Sequence, residues 1–335
     1  MASALAYPVR TPQWILSYQG VNITADISTM VLSVTYTDRL GGEAGEIELE
    51  IEDHAKRWQG PWYPALGDVV SLAIGYRGEA MLPCGDFQVD DLELSGPPDV
   101  FRLRCLSAYI TPAMRTPNTV PFENYTVMGI AQAIAAKYQL GVVGAPGLDD
   151  IEYARITQKQ ETDLAFLRRL ANEHNYEFTV AGTQLVFYAR GDLESAAPVA
   201  TIVRSDVEQF SFRNRTRTIY QGAQVSYQNP DNKSVITRNA AATTPVAPTD
   251  TLKIVSRCEN GQQAAIKAQA ALHFHNMVAT EAWVSGPGMT ALAAGNTIAL
   301  SGWGVMDSTY LIETARHRLS RSRGYTTEVE VRSVS

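Results

Sequence analysis

The stretch Gly67-Asp68-Val69-Val70-Ser71-Leu72 recurs in altered form as Gly295-Asn296-Thr297-Ile298-Ala299-Leu300 near the other end of the chain. In both places a glycine turn leads into a strand, and a strand that begins with an aromatic residue and a closing strand follow. The later strands are Phe87-Gln88-Val89-Asp90 then Phe101-Arg102-Leu103-Arg104-Cys105-Leu106, and Tyr310-Leu311-Ile312-Glu313 then Thr326-Thr327-Glu328-Val329-Glu330-Val331. We interpret them as diverged copies of one β-unit. Two equivalent units per chain favour a ring-shaped oligomer in which the number of similar units is twice the number of subunits.

The chain has 335 residues, which is long enough for two or three domains. We predict a first β-barrel domain over residues 1–111, a small α+β insert over 112–197, and a second β-barrel domain over 198–335 that contains a helix at 262–276. The two outer parts consist of short strands separated by Gly and Pro turns, which is typical of sandwiches and barrels. The expected fold class is mainly β with a small α+β insert.

Apolar periodicity predicts two helices in the insert. The first covers Thr126–Leu140, with Gly141 placed to stop it, and the second covers Thr162–His174, with Asn175 as a left-handed cap. A hairpin should follow around Ala181-Gly182-Thr183. After the insert, strands are expected at Val207–Arg213, Ile219–Tyr227, Ser234–Arg238 and Leu252–Ser256.

The clearest strand is the alternating run from Glu46 to Glu52. Period-2 alternation places its isoleucines and leucine on one face and its glutamates on the other, at Glu46, Glu48, Glu50 and Glu52. Two such carboxylates could act as the acid and base of a glycosidase, but no neighbouring residue gives one of them a raised pKa. A solvated acidic face is the favoured interpretation.

Arginines also alternate, at Arg102 and Arg104 and again at Arg213, Arg215 and Arg217. Basic strand faces can bind nucleic acid, but no aromatic residues are interleaved here as stacking platforms. Pairing with the glutamate rows, across strands or between subunits, is the preferred interpretation.

The overall composition argues against several classes of protein. The formal charge of −7 disfavours nucleic-acid binding. No apolar run approaches the roughly 18 residues of a membrane span, and the N-terminus lacks the basic start of a secretory signal. The three cysteines, Cys84, Cys105 and Cys258, are too scattered for a disulfide framework and are expected to be buried thiols.

Common enzyme motifs are absent from the sequence, including the P-loop, the Gly-x-Gly-x-x-Gly turn, the Gly-x-Ser-x-Gly elbow and His-Glu-x-x-His. His273 and His275 are the only close histidine pair, but positions two apart do not share one face of a helix. We therefore assign no catalytic, cofactor-binding or metal-binding residues.

Short motifs in a fixed order resemble the late control D proteins, the tail or baseplate hub proteins of contractile-tailed bacteriophages and related injection machines. They are Tyr36-Thr37-Asp38, Glu50-Ile51-Glu52-Asp53, Trp62-Tyr63-Pro64 before Gly67-Asp68, Gly85-Asp86-Phe87-Gln88-Val89-Asp90, Gly96-Pro97-Pro98-Asp99, Thr162-Asp163-Leu164-Ala165-Phe166-Leu167-Arg168-Arg169-Leu170, Gly295-Asn296, His317 and Gly324-Tyr325-Thr326-Thr327. The chain departs from the pattern at Asn296, where aspartate follows the glycine of the other copy, and at Asn175, where glycine is usual.

The resemblance implies a homotrimer whose two β-barrel domains per chain form a pseudo-six-fold ring around a channel. It further implies that the ring joins the six-fold tail tube, or a tube initiator, to a trimeric central spike. Baseplate wedge proteins would be neighbours, and a tape-measure protein in the lumen is a further candidate partner. The expected location is the virion tail baseplate or a contractile injection particle, assembled in the host bacterial cytoplasm. The family has no catalytic residues to carry over.

A trimer would carry about −21 formal charge, three times −7. We expect part of the Glu46–Glu52 row, or Glu328 with Glu330, to line the channel and repel passing DNA. Three alternatives remain. One is the hub portion of a secretion-system spike protein, although such proteins usually continue into a β-helical needle and this sequence stops at Ser335. The others are a tail-tip cell-wall hydrolase and a glycan-binding module that uses Trp58, Trp62 and Trp303.

Overall fold

The computed structural model describes residues 10–108, 110, 112–215, 219–228, 234–242 and 249–334. Strands dominate these residues and helices are few, so the predicted mainly β fold class is confirmed. One candidate site residue named from the sequence, Arg217, falls outside the described residues. None of the helices in the described ranges is long and apolar enough to cross a bilayer.

The first part of the chain is built almost entirely from strands. Its elements are β1 (Pro12–Tyr18), β2 (Val21–Asn22), α1 (Thr24–Ile27), β3 (Val31–Arg39), β4 (Glu46–Glu52), β5 (Val69–Tyr76), β6 (Leu82–Ser95) and β7 (Val100–Ser107). The alternating glutamate run is β4 with the bounds expected from its pattern, and its Ile47, Leu49 and Ile51 are fully buried.

The middle part mixes helices with short strands. Its elements are β8 (Asn118–Thr126), α2 (Val127–Lys137), β9 (Gly141–Gly144), β10 (Glu152–Glu161), α3 (Asp163–Glu173), β11 (Tyr176–Ala181), β12 (Gln184–Ala189) and α4 (Arg190–Ser195). Both predicted helices and the hairpin are present. Thr126 and Thr162 cap the two helices by accepting backbone N–H bonds at 2.9 and 3.1 Å.

The last part returns to strands around one long helix. Its elements are β13 (Ala200–Val203), β14 (Gln209–Asn214), β15 (Gly222–Gln228), β16 (Val235–Ala241), β17 (Thr251–Val255), α5 (Gly261–Asn276), β18 (Thr280–Pro287), β19 (Thr297–Ser301), β20 (Ser308–Ser320) and β21 (Gly324–Ser333). Single-turn 3-10 helices lie at Pro112–Arg115, Leu148–Asp150, Arg204–Asp206 and Gly304–Met306.

The strands of the first and last parts join one large sheet. Among the described residues its order is β14-β18-β21-β20-β3-β4-β7-β6-β5-β1-β2, with β19 and β13 attached beside β20. The antiparallel β20–β3 ladder is the joint between the two parts, and it runs from Thr314 opposite Arg39 to Ser320 opposite Ser33. The first and last parts of the chain are therefore hydrogen-bonded into one continuous surface.

Three strands of the last part do not enter this sheet. β15 pairs with β16 and β17 in a separate three-stranded sheet that packs on α5, with Val225, Cys258, Ala264 and Ala268 as a small buried core. From the sequence we placed these strands in the second β-barrel domain over 198–335, whereas the structure pairs them in a sheet of their own. The local pattern identified them as strands, whereas their partners depend on the nearby helix.

The two predicted copies of the β-unit form the same backbone hydrogen bonds. Gly67 N–H donates to Val89 O at 2.8 Å, and Val89 N–H donates to Asp68 O at 2.9 Å. In the second copy the same bonds join Gly295 to Ile312 and Ile312 to Asn296, both at 2.9 Å. In each copy the register shifts by one residue directly afterwards, at Asp90 in β6 and at Glu313 in β20. These shared features support the interpretation of the repeat.

The strand registers extend the repeat and correct one part of its alignment. β3, β4, β7, β6 and β5 pair in the same order as β14, β18, β21, β20 and β19. The sequence comparison set Phe101 against Thr326, but the ladders set Phe101 against Thr327. The hairpins before the closing strands differ in length, so a count along the sequence gives a register that is wrong by one residue.

One predicted helix boundary is also wrong. The helix expected to stop at Gly141 ends at Lys137, and Gln139 takes the left-handed conformation with φ +57°. Gly141 instead begins β9, so the capping position lies earlier than the glycine suggested.

Replacing Gly67 or Gly295 with alanine should destabilise the protein by about 1–2 kcal/mol in each case. Both have left-handed backbones, with φ of +90° and +87°, and an added Cβ would meet at most Leu40 at 3.5 Å. The loss is therefore conformational and should be equal at the two turns. Urea unfolding measures it, with Gly191→Ala as the control, because Gly191 lacks the left-handed φ and has open space. Clearly unequal losses would contradict the equivalence.

Candidate assembly surface

Eight consecutive strands of the large sheet, from β14 through β20 and β3 to β6, share one polar face. Residues directly opposite each other in neighbouring strands lie on the same face. The registers place Arg213 beside Glu281, Glu328 beside Arg316, Thr37 beside Glu46, and Glu48 beside Arg104. We call this surface the polar sheet face.

On the polar sheet face the glutamates of β4 are paired with arginines. Arg102 reaches Glu48 and Glu50, each at 3.0 Å, and Arg104 reaches Glu46 at 2.8 Å. Glu52 lies at the end of the row, 3.2 Å from the Arg321 guanidinium. The predicted cross-strand pairing of the Arg102–Arg104 row with the glutamates is confirmed.

The second β-unit contributes further charges to the same face. Arg316 lies 3.8 Å from Glu328, and Glu330 is exposed two residues further along β21. Arg213 is exposed on β14, and Arg215 forms an ion pair with Glu281 at 2.6 Å. The described candidate site residues therefore share one surface, although they come from opposite ends of the chain.

Sequence reasoning missed two arginines on this face, and one of them connects the two units. Arg318 lies on β20 in the second unit, and its guanidinium is 3.6 Å from Glu50 in the first. Arg316 and Arg318 alternate along their strand as Arg102 and Arg104 do, so the signal was present in the sequence. Their partners could not be found without the β20–β3 ladder.

These arginines change the electrostatics expected for the polar sheet face. The pKa of Glu50 is lowered, chiefly because Ser33 Oγ donates a hydrogen bond at 2.7 Å, and Arg102 adds a second bond. Since arginines offset most of the glutamates, the face carries mixed charge. The repulsion that a bare glutamate row would give is therefore reduced.

The joint between the two units is buried and contains a neutral histidine. His317 is fully buried and stacks on Tyr36 across the β20–β3 ladder, with ring centroids 6.0 Å apart. Its Nε2–H donates to Leu292 O at 2.8 Å, and its Nδ1 accepts from the Tyr325 hydroxyl at 2.8 Å. Burial lowers the pKa of His317 to about 4. The joint therefore depends on an uncharged imidazole.

A buried ion cluster fastens α4 to the second unit. Arg332 is almost fully buried, and its guanidinium lies 2.7 Å from Glu194 and 3.3 Å from Glu313. His273 on α5 approaches Glu194 at 3.0 Å. Burial acts to raise the pKa of Glu194, but the hydrogen bonds from His273 and Arg332 outweigh it and hold the pKa at about 2.

The other residues considered from sequence do not gather into a site. His273 contacts Asn175 and Glu194, whereas His275 packs on Tyr220. Across the described ranges, no three His, Cys, Asp or Glu side chains are grouped to hold a metal ion. Cys105 and Cys258 are buried as expected, and Cys84 is half-buried.

The aromatic residues considered for glycan binding lie mostly inside the protein. Trp58 is 5% exposed and stacks on Phe101, and Trp303 packs against Phe210 and Phe212. Trp62 is partly buried beside Trp58, in the wall of an apolar cleft of about 390 Å³. These rings do not form an exposed platform for a sugar.

Comparison with known proteins gives a consistent result. The family model described as phage tail baseplate hub (GPD) matches residues 100–323. The probable baseplate hub protein of Escherichia phage P2 is 34% identical over 216 residues, which cover 63% of this chain and 55% of that protein. The corresponding protein of Escherichia phage 186 is 30% identical over 215 residues, with 63% and 54% covered. The chain thus spans about half the length of these curated relatives.

Solved structures with the same fold are much less similar in sequence. A 43 kDa tail protein of prophage MuSo2 from Shewanella oneidensis matches with a TM-score of 0.74 and 15% identity, covering 96% of this chain and 98% of that one. A tail protein from Neisseria meningitidis MC58 matches at 0.71 and 14%, covering 96% and 97%. The E. coli c3393 protein, a component of the type VI secretion system, matches at 0.60 and 14%, covering 96% and 77%.

Proposed function

The chain belongs to the phage tail baseplate hub (GPD) family, and on that premise we propose that three copies form the ring that joins a six-fold tail tube to a three-fold central spike. The chain would act as a structural component of the virion tail baseplate and would catalyse no reaction. Its partners would be the spike trimer, the tube protein or tube initiator, and the surrounding wedge proteins.

The observation that carries this proposal is the duplicated β-unit within one continuous sheet. Each copy begins with the same glycine turn and has its bulge at the same place, and the β20–β3 ladder sets the two copies side by side. Three chains would then present six similar units to a six-fold partner. The same three chains retain the three-fold symmetry that a trimeric spike requires.

Within this proposal the polar sheet face lines the channel. Its Glu46, Glu48, Glu50 and Glu52 row and its Glu328 and Glu330 pair would face the lumen, together with Arg213 and Arg215. Mixed charge on an inner wall would let DNA or a tape-measure protein slide past without binding tightly, because neither sign dominates. The opposite face of the sheet carries the apolar residues, which are already buried within the single chain.

We propose the domain division 1–111, 112–197 and 198–335 with one change, which moves part of the last domain to the insert. The two outer parts supply the ring, and the insert lies outside it. The β15–β17 sheet and α5 would belong with the insert, because α3 contacts α5 and Lys267 on α5 reaches Glu173 on α3 at 2.7 Å. Superposing the two β-units without residues 219–276 would test this division.

Light scattering on the purified chain, alone and with its cognate spike protein, tests the proposed assembly. We expect a mass of about 110 kDa for the chain, three times 36.6 kDa, or a three-to-three complex with the spike. Electron microscopy of the complex should show a ring with six similar lobes. A chain that stays monomeric in both conditions would contradict the hub.

A second candidate function is the hub portion of a secretion-system spike protein. The fold shared with the type VI secretion component from E. coli favours it. Such spike proteins usually continue into a β-helical needle in the same chain. Stable binding of a separately produced spike to this chain would favour the baseplate hub, and the failure of such binding would favour the second candidate.

A further inference from the structure

β6 and β14 each have a strand edge in the large sheet that is left unpaired within the described chain. Beyond its bulge, β6 pairs only with β7, so the other edge of Asp91–Ser95 has no partner strand there. β14 pairs only with β18, so the outer edge of Ser211–Asn214 is likewise open. Both edges are solvent-exposed, and Leu94 is 49% exposed on the first of them. Exposed edges of this kind are ready to add another strand.

The chain itself shows what pairs with such edges. β20 is the copy of β6, and beyond its bulge it pairs with β3 through Thr314–Ser320. β3 is the copy of β14, because β3 lies beside β4 as β14 lies beside β18. The internal β20–β3 joint therefore has a missing counterpart, which would join the free edge of β6 to the free edge of β14.

We infer that Asp91–Ser95 of one copy pairs antiparallel with Ser211–Arg215 of a second copy. The inference rests on the proposed trimeric hub and names the interface that closes it. Transferring the β20–β3 register onto the equivalent strands places Asp91 opposite Arg215, Glu93 opposite Arg213, and Ser95 opposite Ser211. Leu94, which lies between Glu93 and Ser95, falls opposite Phe212.

The transferred register is chemically complementary. Each acidic side chain on the β6 edge meets an arginine on the β14 edge, although the template pairs in the internal joint, such as Arg316 with Thr37, are not charge pairs. The ion pair between Arg39 and Glu46 at the internal joint already has its counterpart in Arg215 and Glu281. Like charges on two edges would oppose pairing, whereas opposite charges fix its register.

Apolar contacts would support the same register. The counterparts of Leu94 and Phe212 in the internal joint are His317 and Tyr36, which are 0% and 9% exposed and stack on each other. Leu94 is half-exposed in the single chain and would be covered by Phe212 of the second copy. The pairing therefore removes an exposed leucine from an open edge.

Three such joints would close a cylinder. Eight strands from each of three copies give 24 strands around the channel. At about 4.8 Å between strands, the circumference is roughly 115 Å and the backbone diameter about 37 Å before strand tilt widens it. The polar sheet face would be the inner wall along the whole circumference.

Charge reversal at the proposed joint tests the inference. Glu93→Arg and Arg213→Glu should each raise the concentration at half-maximal trimer formation about tenfold or more, because like charges then face each other. The double variant E93R/R213E restores opposite charges at every joint and should recover most of the loss; the remainder reflects the ion pair of Glu93 with Arg102 of its own chain, at 2.5 Å. Asp149→Arg, a reversal on the exposed surface of the insert, is the control and should change nothing.

Disulfide trapping provides a second readout that does not depend on affinity. A chain with Ser95→Cys and Ser211→Cys should form covalent dimers and trimers under mild oxidation, with the spike present if the chain requires it. Ser95→Cys with Asn214→Cys places the second thiol on the other face and should not cross-link. The single variants control for the native cysteines.

The outcomes separate the two proposals. If the wild-type chain never forms a trimer, the proposed function fails and this interface fails with it. If trimers form but neither reversal weakens them, or the cysteines do not cross-link, only the interface is overturned. Weakening by each single reversal, rescue by the double variant and selective trapping would together establish it.

Discussion

Replacing Arg332 with methionine should cost about 3–5 kcal/mol of folding free energy, because it removes the cation from a buried ion cluster. The Arg332 side chain is 2% exposed and lies within salt-bridge distance of Glu194 and Glu313. Without it, Glu194 loses one of its two cationic partners, and the partly exposed Glu313 loses its ion pair with the guanidinium. Burial already raises the pKa of Glu313, with the Arg332 charge opposing it.

Urea unfolding at neutral pH measures this loss, and Arg318→Met is the matched control. Arg318 also pairs with a glutamate, but its side chain is 52% exposed and its partner Glu50 lies 3.6 Å away. An exposed pair of that kind contributes at most about 1 kcal/mol. Equal, small losses for the two variants would show that Arg332 does not fasten α4 to the sheet.

The His317→Gln variant should lose much of the acid sensitivity of the wild-type protein. The pKa of His317 is about 4 in the folded chain, below its ordinary value of about 6.5. As the pH falls below about 6.5, the unfolded chain takes up this proton first, so folded stability is greatest above that pH and is lost as the pH falls towards 4. The contribution of His317 to the free energy of unfolding that is lost by pH 4 approaches about 3 kcal/mol.

Denaturant unfolding at several pH values between 7 and 4 tests this. His317→Gln should be less stable at pH 7, because a joint contact is changed, but its stability should fall less on acidification. His174→Gln is the matched variant in the insert, where burial and then the nearby Lys267 lower the pKa of His174 to about 4. The two effects should add. An unchanged pH profile in His317→Gln would contradict a neutral buried imidazole at the joint.

Local patterns predicted elements well and their partners poorly. The Glu46–Glu52 alternation was enough to fix a strand, its bounds and its buried face, because a period of two needs no distant information. The capping threonines and the left-handed Asn175 were also local signals. The sheet formed by β15, β16 and β17 was not predictable in this way, since any strand pattern can be satisfied by several neighbours.

In the candidate site, too, local patterns were predictable and long-range partners were not. Composition and alternation identified the glutamates of β4 and the arginines of β7, and cross-strand ion pairs then followed from simple charge matching. The sequence could not show that Glu328 lies on the same surface as Glu48, because that depends on the β20–β3 ladder between residues nearly 280 positions apart. The alignment of Phe101 with Thr326 was wrong by one residue because a comparison of motifs does not account for the different lengths of the two hairpins.

The β20–β3 joint also bears on how a ring of six units would be put together. This joint lies within one chain, so it forms when the subunit folds, at an effective concentration that two separate units could not reach. Half of the six joints would then exist before any two subunits meet. Two associations between subunits would remain to lose translational and rotational entropy, and the third joint would form on ring closure. Fusing two units into one chain also excludes rings with an odd number of units, so assembly cannot stop at five or overshoot to seven.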